Sequence, residues 1–385
     1  MRGKKNRQPN MFYALDVEDL IRPDHPLRAI KKLVDEDLAR MGHLFNKAYS
    51  DQGRPSVPPE TLLKAMLLLC LYSIRSEAQL IERLRTDLLF RWFLDMDPAA
   101  EVFDPTAFTH NRPRLDQFGI TAAFFAGTVR RAVKESQASQ DHFSVDGTLI
   151  ESYASIKSFV PKERAAKKDS AGGPDDSNGF KSRNPEVDFH GQKRSNATHV
   201  STTDPEARLF KKGNGQEAKL SHMGHVMTEN RHGLVLAVAV SEAAGDAEPA
   251  AALAMLDELE NLHDLSPKTC GADKGYDSGP FMLELQEREV VPHVAVKEGT
   301  IGGAHVKKEN REAVTARQGM RRRMKTLGYQ LSQKTRKKSE EAFGWIKTIG
   351  GLARTRLVGR WKILQQLHMA SAAYNLVRLV KLLAA

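Results

Sequence analysis

Cysteine and long apolar runs are scarce in this chain, and acidic residues are fewer than basic ones. Only two of its 385 residues are cysteines, Cys70 and Cys270. Two thiols exclude a disulfide framework and a thiolate zinc site, and they suit a reducing compartment, so we expect a cytoplasmic protein. The longest strongly apolar run, residues 65–74, is well short of the ~20 residues that a membrane helix needs. We therefore expect no membrane partner.

The excess of Lys and Arg over acids leaves the chain strongly basic. Lys and Arg number 58 against 48 Asp and Glu, a formal charge of +10. Basic side chains gain affinity for a polyanion by releasing its counterions, so the charge favours a nucleic-acid partner, although a merely basic protein fits it equally well. The first eight residues carry four Lys or Arg with no apolar segment after them. They predict a flexible basic arm rather than a signal peptide.

The positive charge is concentrated in residues 305–338. Twelve Lys or Arg stand there against two acids. A run of this kind repels itself unless phosphate is nearby. We therefore predict phosphate contacts from this stretch, and from Arg321, Arg322 and Arg323 in particular.

The first third of the chain has the pattern of amphipathic helices. Apolar residues recur at three- and four-residue spacings over about 24–137. Pro58 and Pro59 suit the start of one helix, and Ser76 followed by Gln79 resembles a capping box that opens the next. We predict an all-helical N-terminal domain, residues 1–137, that serves DNA binding or assembly.

A third short helix is predicted after Asp104, with Pro113 breaking or kinking it. It carries Arg112 and Arg114. With the two helices before it, this helix forms a helix-turn-helix-like trio, an arrangement that contacts DNA in some proteins and only packs in plain bundles. Both roles stay open, and Arg112 and Arg114 are the candidate DNA contacts.

The periodicity then changes to two, which is typical of β-strands. The first of these strands carries Asp146. Residues 220–228 and 233–241 are predicted to pair as strands, and residues 267–273 form another strand that ends on a carboxylate, Asp273. Two acids thus lie on strands.

Helices alternate with these strands. One helix is predicted from about residue 248 to 263, and residues 290–296 form an edge strand because Pro292 cannot donate to a ladder. Residues 361–383 are predicted to form a long amphipathic helix that covers the sheet. The pattern predicts an α/β domain over residues 138–385, with an aperiodic insertion around 158–215.

Three acidic residues have neighbours suited to phosphodiester chemistry. Asp146 and Asp273 lie in apolar strands, where an unpaired carboxylate is costly, and Glu340 lies in a helix rich in Lys and Arg. Phosphodiester hydrolysis or transfer needs an activated nucleophile and a stabilised leaving oxygen, which two metal ions supply. Mg²⁺ prefers hard oxygen ligands. If the two strands are neighbours, the three acids form a candidate site for two Mg²⁺ ions.

The helix that bears the third acid carries two cations on the same face. Arg336, Glu340 and Lys347 are separated by four and seven residues, spacings that align side chains along a helix. A metal ligand would then be flanked by two phosphate-binding groups. Glu341, rotated by about 100° around the helix, is the rival ligand.

Two residues beside Asp273 are further candidates. Lys274 and Tyr276 could contact DNA, or could pair with Asp277.

A rival reading of the metal chemistry is a zinc site built from His222, His225 and His232, with or without His199. Residues three apart in a strand point to opposite faces, so His222 and His225 would not converge. Structural zinc sites usually need four well-placed ligands. The sequence therefore disfavours zinc.

The ordered set of motifs resembles the DDE transposases of bacterial insertion sequences, in the insertion-sequence-five-like branch. The resemblance covers nearly the whole chain. It includes the leucine-rich helical N-terminus, Asp146-Gly147-Thr148, residues 191–199, 204–208 and 272–276, and the helix over 340–347 with Gly350-Gly351-Leu352 after it.

This resemblance implies a ribonuclease H-like mixed sheet with helices and an insertion. It also implies cleavage and strand transfer with two Mg²⁺ or Mn²⁺ ions. The family's catalytic metal ligands correspond to Asp146, Asp273 and Glu340, and the cations of its third motif correspond to Arg336 and Lys347.

The third motif departs from the family pattern at two positions. The Tyr expected three residues before the Arg is Gln333 here, with Tyr329 one turn earlier. The Arg-like position after the Glu is Glu341. Neither departure removes a metal ligand.

The hypothesis from sequence is a transposase that binds the terminal inverted repeats of its element and then cuts and joins double-stranded DNA. The resemblance implies homo-oligomers on paired DNA ends and a place at the bacterial nucleoid. One alternative is a non-catalytic DNA-binding regulator derived from a transposase, which would have no physical reason to keep three metal-ready acids. Another is a nuclease or resolvase that shares the sheet.

Overall fold

The structure, a computed structural model, describes residues 16–50, 52–53, 55–165, 195–211, 217–245, 247–299 and 311–384. The predicted basic arm, residues 166–194 of the predicted insertion and residues 305–310 of the basic stretch lie outside these ranges. The helices are α1 Val17–Leu20, α2 Pro26–Arg40, α3 Gly42–Ala48, α4 Pro59–Leu71, α5 Glu77–Thr86, α6 Leu88–Phe93, α7 Thr106–Gln117, α8 Ile120–Lys134, α9 Ala247–His263, α10 Gly279–Glu287, α11 Arg311–Arg323, α12 Leu327–Thr335, α13 Lys337–Thr348 and α14 Arg360–Leu383. The strands are β1 His142–Ser152, β2 Phe159–Pro161, β3 His199–Ser201, β4 Arg208–Phe210, β5 Lys219–Glu229, β6 Val235–Glu242, β7 Thr269–Ala272, β8 Val291–Val294 and β9 Arg354–Thr355.

The N-terminal part is helical, as predicted. Helix α4 begins at Pro59, whose fixed φ suits a first helical turn. Helix α5 begins after Ser76, whose hydroxyl accepts a hydrogen bond from the backbone N–H of Gln79 at 3.2 Å. The side chain of Gln79 in turn accepts from the N–H of Arg75 at 3.3 Å. These contacts satisfy backbone donors that would otherwise lack partners at the start of the helix.

Helix α7 does not end at Pro113, so the prediction of a break there is wrong. The helix continues to Gln117. Phe108 and Leu115 are buried on either side of the proline. Both side chains lie on one face of the helix, and their burial stabilises it although Pro113 lacks a backbone N–H donor.

The main sheet has the strand order β6–β5–β1–β7–β8. Strand β5 pairs antiparallel with β1 on one edge and with β6 and β4 on the other. Strand β7 pairs parallel with β1, and β8 pairs parallel with β7. Three antiparallel strands followed by two parallel ones, with helices against the sheet, form a ribonuclease H-like core. The predicted fold class is therefore confirmed.

Helix α14 joins the helical part to the sheet. It packs against β6 on one side and against α8, α4, α2 and α7 on the other. The side chain of Asn375 accepts from the N–H of Val235 at 2.9 Å and donates to the carbonyl of Val235 at 2.7 Å. Helix α14 covers the sheet, as predicted, and it also packs in the core of the helical part.

Because one apolar core runs through both parts, a division at residue 137 stays a prediction. At the edges of the predicted insertion, β2 and β3 pair as a separate two-stranded sheet. Among the described helices, none combines the length and the apolar character that a membrane span requires.

Candidate active site

The register of the sheet sets Asp146 and Asp273 side by side. Strands β1 and β7 run parallel, with Ser144 opposite Gly271 at the end of their ladder. Each carboxylate lies two residues beyond that pair. The condition posed by the sequence, that the two acid-bearing strands be neighbours, is therefore met.

Each of the two strand acids also accepts a local backbone hydrogen bond. Oδ1 of Asp146 accepts from the N–H of Gly147 at 2.9 Å. Oδ1 of Asp273 accepts from the N–H of Gly275 at 2.7 Å and so caps the short turn that follows β7. These bonds orient both carboxylates at the carboxyl end of β7.

The third predicted acid is connected to the first through Arg336. The guanidinium contacts Oδ2 of Asp146 at 3.5 Å and Oε1 of Glu340 at 3.1 Å. The Asp146 side chain is 16% exposed and that of Glu340 is 54% exposed. Lys347 donates from Nζ to the hydroxyl of Thr148 at 3.0 Å. Helix α13 thus lies over β1: Arg336, the residue before its first turn, and Lys347 both contact β1, and Glu340 is joined to it through Arg336.

The rival acid, Glu341, faces elsewhere. Its Oε1 lies 2.7 Å from Nη1 of Arg378 on α14. The contacts therefore group Glu340, rather than Glu341, with Asp146.

A fourth carboxylate lies among these residues, one that the sequence analysis did not single out. Glu248 is in the first turn of α9. A Cβ atom added at Gly147 would lie 2.5 Å from its Oε1, and one added at Gly275 would lie 2.5 Å from its Oε2. Glu248 therefore sits between the segment that follows Asp146 and the segment that follows Asp273. The signal available in the sequence was the glycine close after each strand acid.

Tyr276 cannot make the predicted DNA contact, because its side chain is fully buried. Burial raises the pKa of its hydroxyl well above the usual value, as do the negative charges of Glu248, Asp146 and Asp273. Its hydroxyl has no hydrogen-bond partner among the described residues. Tyr276 thus lies beneath the carboxylates as a neutral group.

Lys274 is exposed beside Asp273. The alternative pairing with Asp277 is taken by Arg317, whose Nε and Nη2 lie 2.8 and 2.7 Å from the two carboxylate oxygens. Although burial opposes ionisation, Arg317 and the N–H of Lys297 hold the pKa of Asp277 below its usual value. Lys274 is therefore left as a candidate for DNA contact.

Arg112 was predicted to contact DNA, but the structure places it in the protein interior. It is buried, pairs with Glu77 at 2.5 Å and donates to Gln365 at 3.5 Å. Its position four residues after Phe108 turns it to the packed face of α7. Arg114, on the other face, is exposed and stacks over the ring of Tyr49 at 4.6 Å.

The three consecutive arginines of α11 lie along the β8 side of the sheet. Arg323 donates to the carbonyl of Pro292 at 3.2 Å, and Arg321 donates to the carbonyl of Lys297 at 3.2 Å. Arg321 and Arg322 are exposed. Contacts therefore join this cluster to the edge strand and not to the carboxylates.

The two candidates for the tyrosine position of the third motif both face β8. Gln333 donates to the carbonyl of His293 at 2.8 Å. Tyr329 is buried, with its ring edge-on to that of His293 at a centroid distance of 6.1 Å. Both residues hold α12 to the sheet.

The histidines of the rival zinc reading have other partners. Nε2 of His222 lies 2.8 Å from Oδ2 of Asp204, and Nε2 of His225 lies 2.7 Å from the hydroxyl of Ser241. Burial lowers the pKa of His225 to about 4. In the part of the chain that the structure describes, no three His, Cys, Asp or Glu side chains converge closely enough to bind one metal ion.

The absence of a three-ligand cluster among the described side chains also limits which metal ion the carboxylates can bind. Zinc needs at least three converging protein ligands, whereas Mg²⁺ binds through one or two carboxylates, keeps several waters and takes further ligands from substrate phosphates. A pair of aspartates on adjacent strands with glutamates nearby offers the hard oxygen donors that Mg²⁺ prefers. The donor set therefore fits Mg²⁺ or Mn²⁺.

Comparison with known proteins gives two family matches. Residues 15–114 match a family described as "Transposase domain (DUF772)", and residues 195–376 match one described as "Transposase DDE domain". No curated protein matches the chain. Among solved structures, the chain is similar to the piggyBac transposase in a synaptic complex with hairpin DNA, at 10% identity and a TM-score of 0.40. The match covers 91% of this chain and 73% of that one.

Proposed function

Because the chain belongs to the DDE transposase family, we propose that it binds the terminal inverted repeats of its own element and then cuts and joins double-stranded DNA with two divalent metal ions. The single observation that carries this proposal is the position of Asp146 and Asp273 on adjacent parallel strands, each two residues beyond the last pair of their ladder. Glu340 is joined to Asp146 through Arg336.

Asp146, Asp273 and Glu340 would hold the ions, which are Mg²⁺ or Mn²⁺. When bound, such ions activate an attacking oxygen and stabilise the leaving oxygen of a phosphodiester. In the first step water attacks the phosphorus at the element's end, the bond to the 3′ oxygen breaks, and a 3′ hydroxyl is released. In the second step that hydroxyl attacks a target phosphorus, a new phosphodiester bond forms, and the bond from that phosphorus to the target strand's own 3′ oxygen breaks and releases a 3′ hydroxyl. One phosphodiester replaces another, so no further reactant is needed.

The cations around the acids bind the DNA backbone in this proposal. Arg336 partly neutralises Asp146 and Glu340, and it would be able to contact a phosphate if those acids held a metal ion. Lys347 and the exposed Lys274 add phosphate contacts on either side.

Further phosphate contacts come from residues outside the carboxylate site. The exposed Arg321 and Arg322, with Arg323, hold DNA along the β8 edge, and Arg114 holds it at the helical part. Residues 1–137 bind the element's ends or mediate assembly, and residues 138–385 perform the chemistry. Several copies assemble on paired ends at the bacterial nucleoid.

The test compares wild type with Asp146→Asn on DNA taken from the flanks of the protein's coding region, where footprinting first locates the bound ends. We expect Asp146→Asn to bind those ends as tightly as wild type and to cut them about a thousandfold more slowly in Mg²⁺, because an amide is a poor ligand for a hard cation. Gel assays of binding and cleavage measure both quantities.

Asp141→Asn is the matched control, since Asp141 precedes β1 and pairs with Lys268 on the surface at 2.9 Å. It should cut at the wild-type rate. Undiminished Mg²⁺-dependent cutting by Asp146→Asn would refute the site. Binding without cutting by wild type would instead support the non-catalytic regulator.

A further inference from the structure

Two glycines leave room for the side chain of Glu248. Gly147 and Gly275 are not among the residues with positive φ, so neither is required by backbone conformation. The Cβ atom of any other residue at either position would lie 2.5 Å from a carboxylate oxygen of Glu248. That is closer than carbon and oxygen can approach without a bond, so the absence of Cβ atoms there allows Glu248 to enter the site.

The two oxygens of Glu248 face the two glycines that follow the strand acids. The space at Gly275 lies 2.5 Å from Oε2 of Glu248 and also 2.9 Å from Oδ1 of Asp273. Oε1 of Glu248 faces Gly147, whose N–H is held by Oδ1 of Asp146. One carboxylate thus spans the gap between the two predicted ligands.

A buried hydroxyl beneath these acids supplies an independent observation. Tyr276 is fully buried, and its hydroxyl has no hydrogen-bond partner among the described residues. Of the charges that act on this hydroxyl, Glu248 has the largest effect, ahead of Asp146 and Asp273. Buried polar groups in proteins almost always have a partner, frequently an ordered water. A water carried by a cation among these carboxylates would supply it.

A structural reading of Glu248 also exists. An acid in the first turn of a helix is stabilised by the helix dipole. That role requires no contact with Asp146 or Asp273 and no cleared space at two glycines, and it predicts a loss of stability when the charge is removed.

We propose that Glu248 is a fourth carboxylate of the metal site, where it binds a divalent cation together with Asp273. This proposal rests on the proposed function.

The experiment titrates Mn²⁺ into the full chain by calorimetry, with and without DNA carrying the element's end. Glu248→Gln should lower the affinity for Mn²⁺ at least about tenfold, and Glu248→Asp should lie between that variant and wild type. Glu260→Gln is the matched control, because Glu260 is an exposed acid of the same helix. It should bind Mn²⁺ as wild type does.

Thermal unfolding separates ligation from a structural role. Without metal, Glu248→Gln should melt at or above the wild-type temperature, since it relieves repulsion between carboxylates. The rise in melting temperature on adding Mn²⁺ should be smaller than in wild type. A lower melting temperature without metal, combined with unchanged Mn²⁺ affinity, would overturn the proposal in favour of the helix-dipole role.

The remaining outcomes distinguish this proposal from the one it rests on. If Asp146→Asn loses Mn²⁺ binding while Glu248→Gln binds like wild type, the fourth ligand is refuted and the proposed function stands. If wild type binds no Mn²⁺ with or without DNA, both are refuted.

Discussion

Two regions of the molecule hold charged side chains in opposite ways. In the helical part Arg131 is buried, and its guanidinium lies 2.8 Å from Glu36 and 2.7 Å from the buried Asp37. Beside β1 the guanidinium of Arg336 contacts both Asp146 and Glu340, over longer distances of 3.5 and 3.1 Å. Close pairing of buried charges is required for the fold to tolerate them, whereas the more exposed acids around Arg336 are held at longer distances.

The comparison explains why Arg112 was misassigned. An arginine on a helix within a basic protein suggests DNA contact, yet Arg112 belongs with the first kind of charge, since it is buried and paired with Glu77. Burial and partner, rather than residue type, separate a structural cation from a functional one.

The largest effect should come from the acids of α13. Glu340→Gln should lower Mg²⁺-dependent DNA cutting about a thousandfold, because it removes one of the proposed metal ligands. Glu341→Gln should cut near the wild-type rate and lose at most about 1 kcal/mol of stability, since it breaks one exposed ion pair with Arg378. Single-turnover cleavage rates measure the difference. If Glu341→Gln cut DNA more slowly than Glu340→Gln, Glu341 would be the ligand, and the contrast between the two regions would fail.

The next effect concerns the tightly paired region. Arg131→Met should lower the free energy of unfolding by about 3 kcal/mol, because the buried Asp37 carboxylate loses its buried cation and keeps only the exposed Arg40, at 3.0 Å. Urea unfolding measures this loss. Arg85→Met is the control: Arg85 and Glu82 form an exposed pair at 2.8 Å, so the loss should stay below about 1 kcal/mol. Equal losses in the two variants would show that burial does not distinguish them.

A smaller effect should come from a buried group with no ionic partner. Burial lowers the pKa of His225 to about 4 from its ordinary 6.5. Below about pH 6.5 His225 binds a proton in the unfolded chain, whereas in the folded chain it stays neutral until near pH 4. The free energy of unfolding therefore falls as the pH drops from about 6.5 to about 4. Between pH 7 and pH 5 wild type should lose about 2 kcal/mol more than His225→Gln, measured by urea unfolding. Identical pH dependence would show that His225 takes up its proton in the folded state.

Local periodicity predicted most of the elements. Strand β5 was expected over residues 220–228 and is Lys219–Glu229, and helix α14 was expected from residue 361 and starts at Arg360. Alternation and helical spacing are properties of neighbouring residues, so the chain displays them directly. The same spacing would have turned Arg112 inward, because it shares the face of Phe108 and Leu115.

The site was only partly predictable, because it is formed by elements far apart in the chain. Asp146 and Asp273 could be proposed from their strands, but their adjacency depends on the β1–β7 pairing. Glu248 looked like an ordinary acid at a helix start. Only the packed sheet shows that it reaches between Gly147 and Gly275, and only burial shows that Tyr276 lies beneath.

The place of α14 in the fold also sets an order in time. This helix supplies core contacts to both the helical part and the sheet, yet the ribosome makes it after every other described element. Domains generally fold as units while the chain emerges. Until residue 383 has left the ribosome, β6 and α8 lack their shared neighbour. The fold therefore delays the joining of the helical part to the sheet until synthesis of this helix is complete.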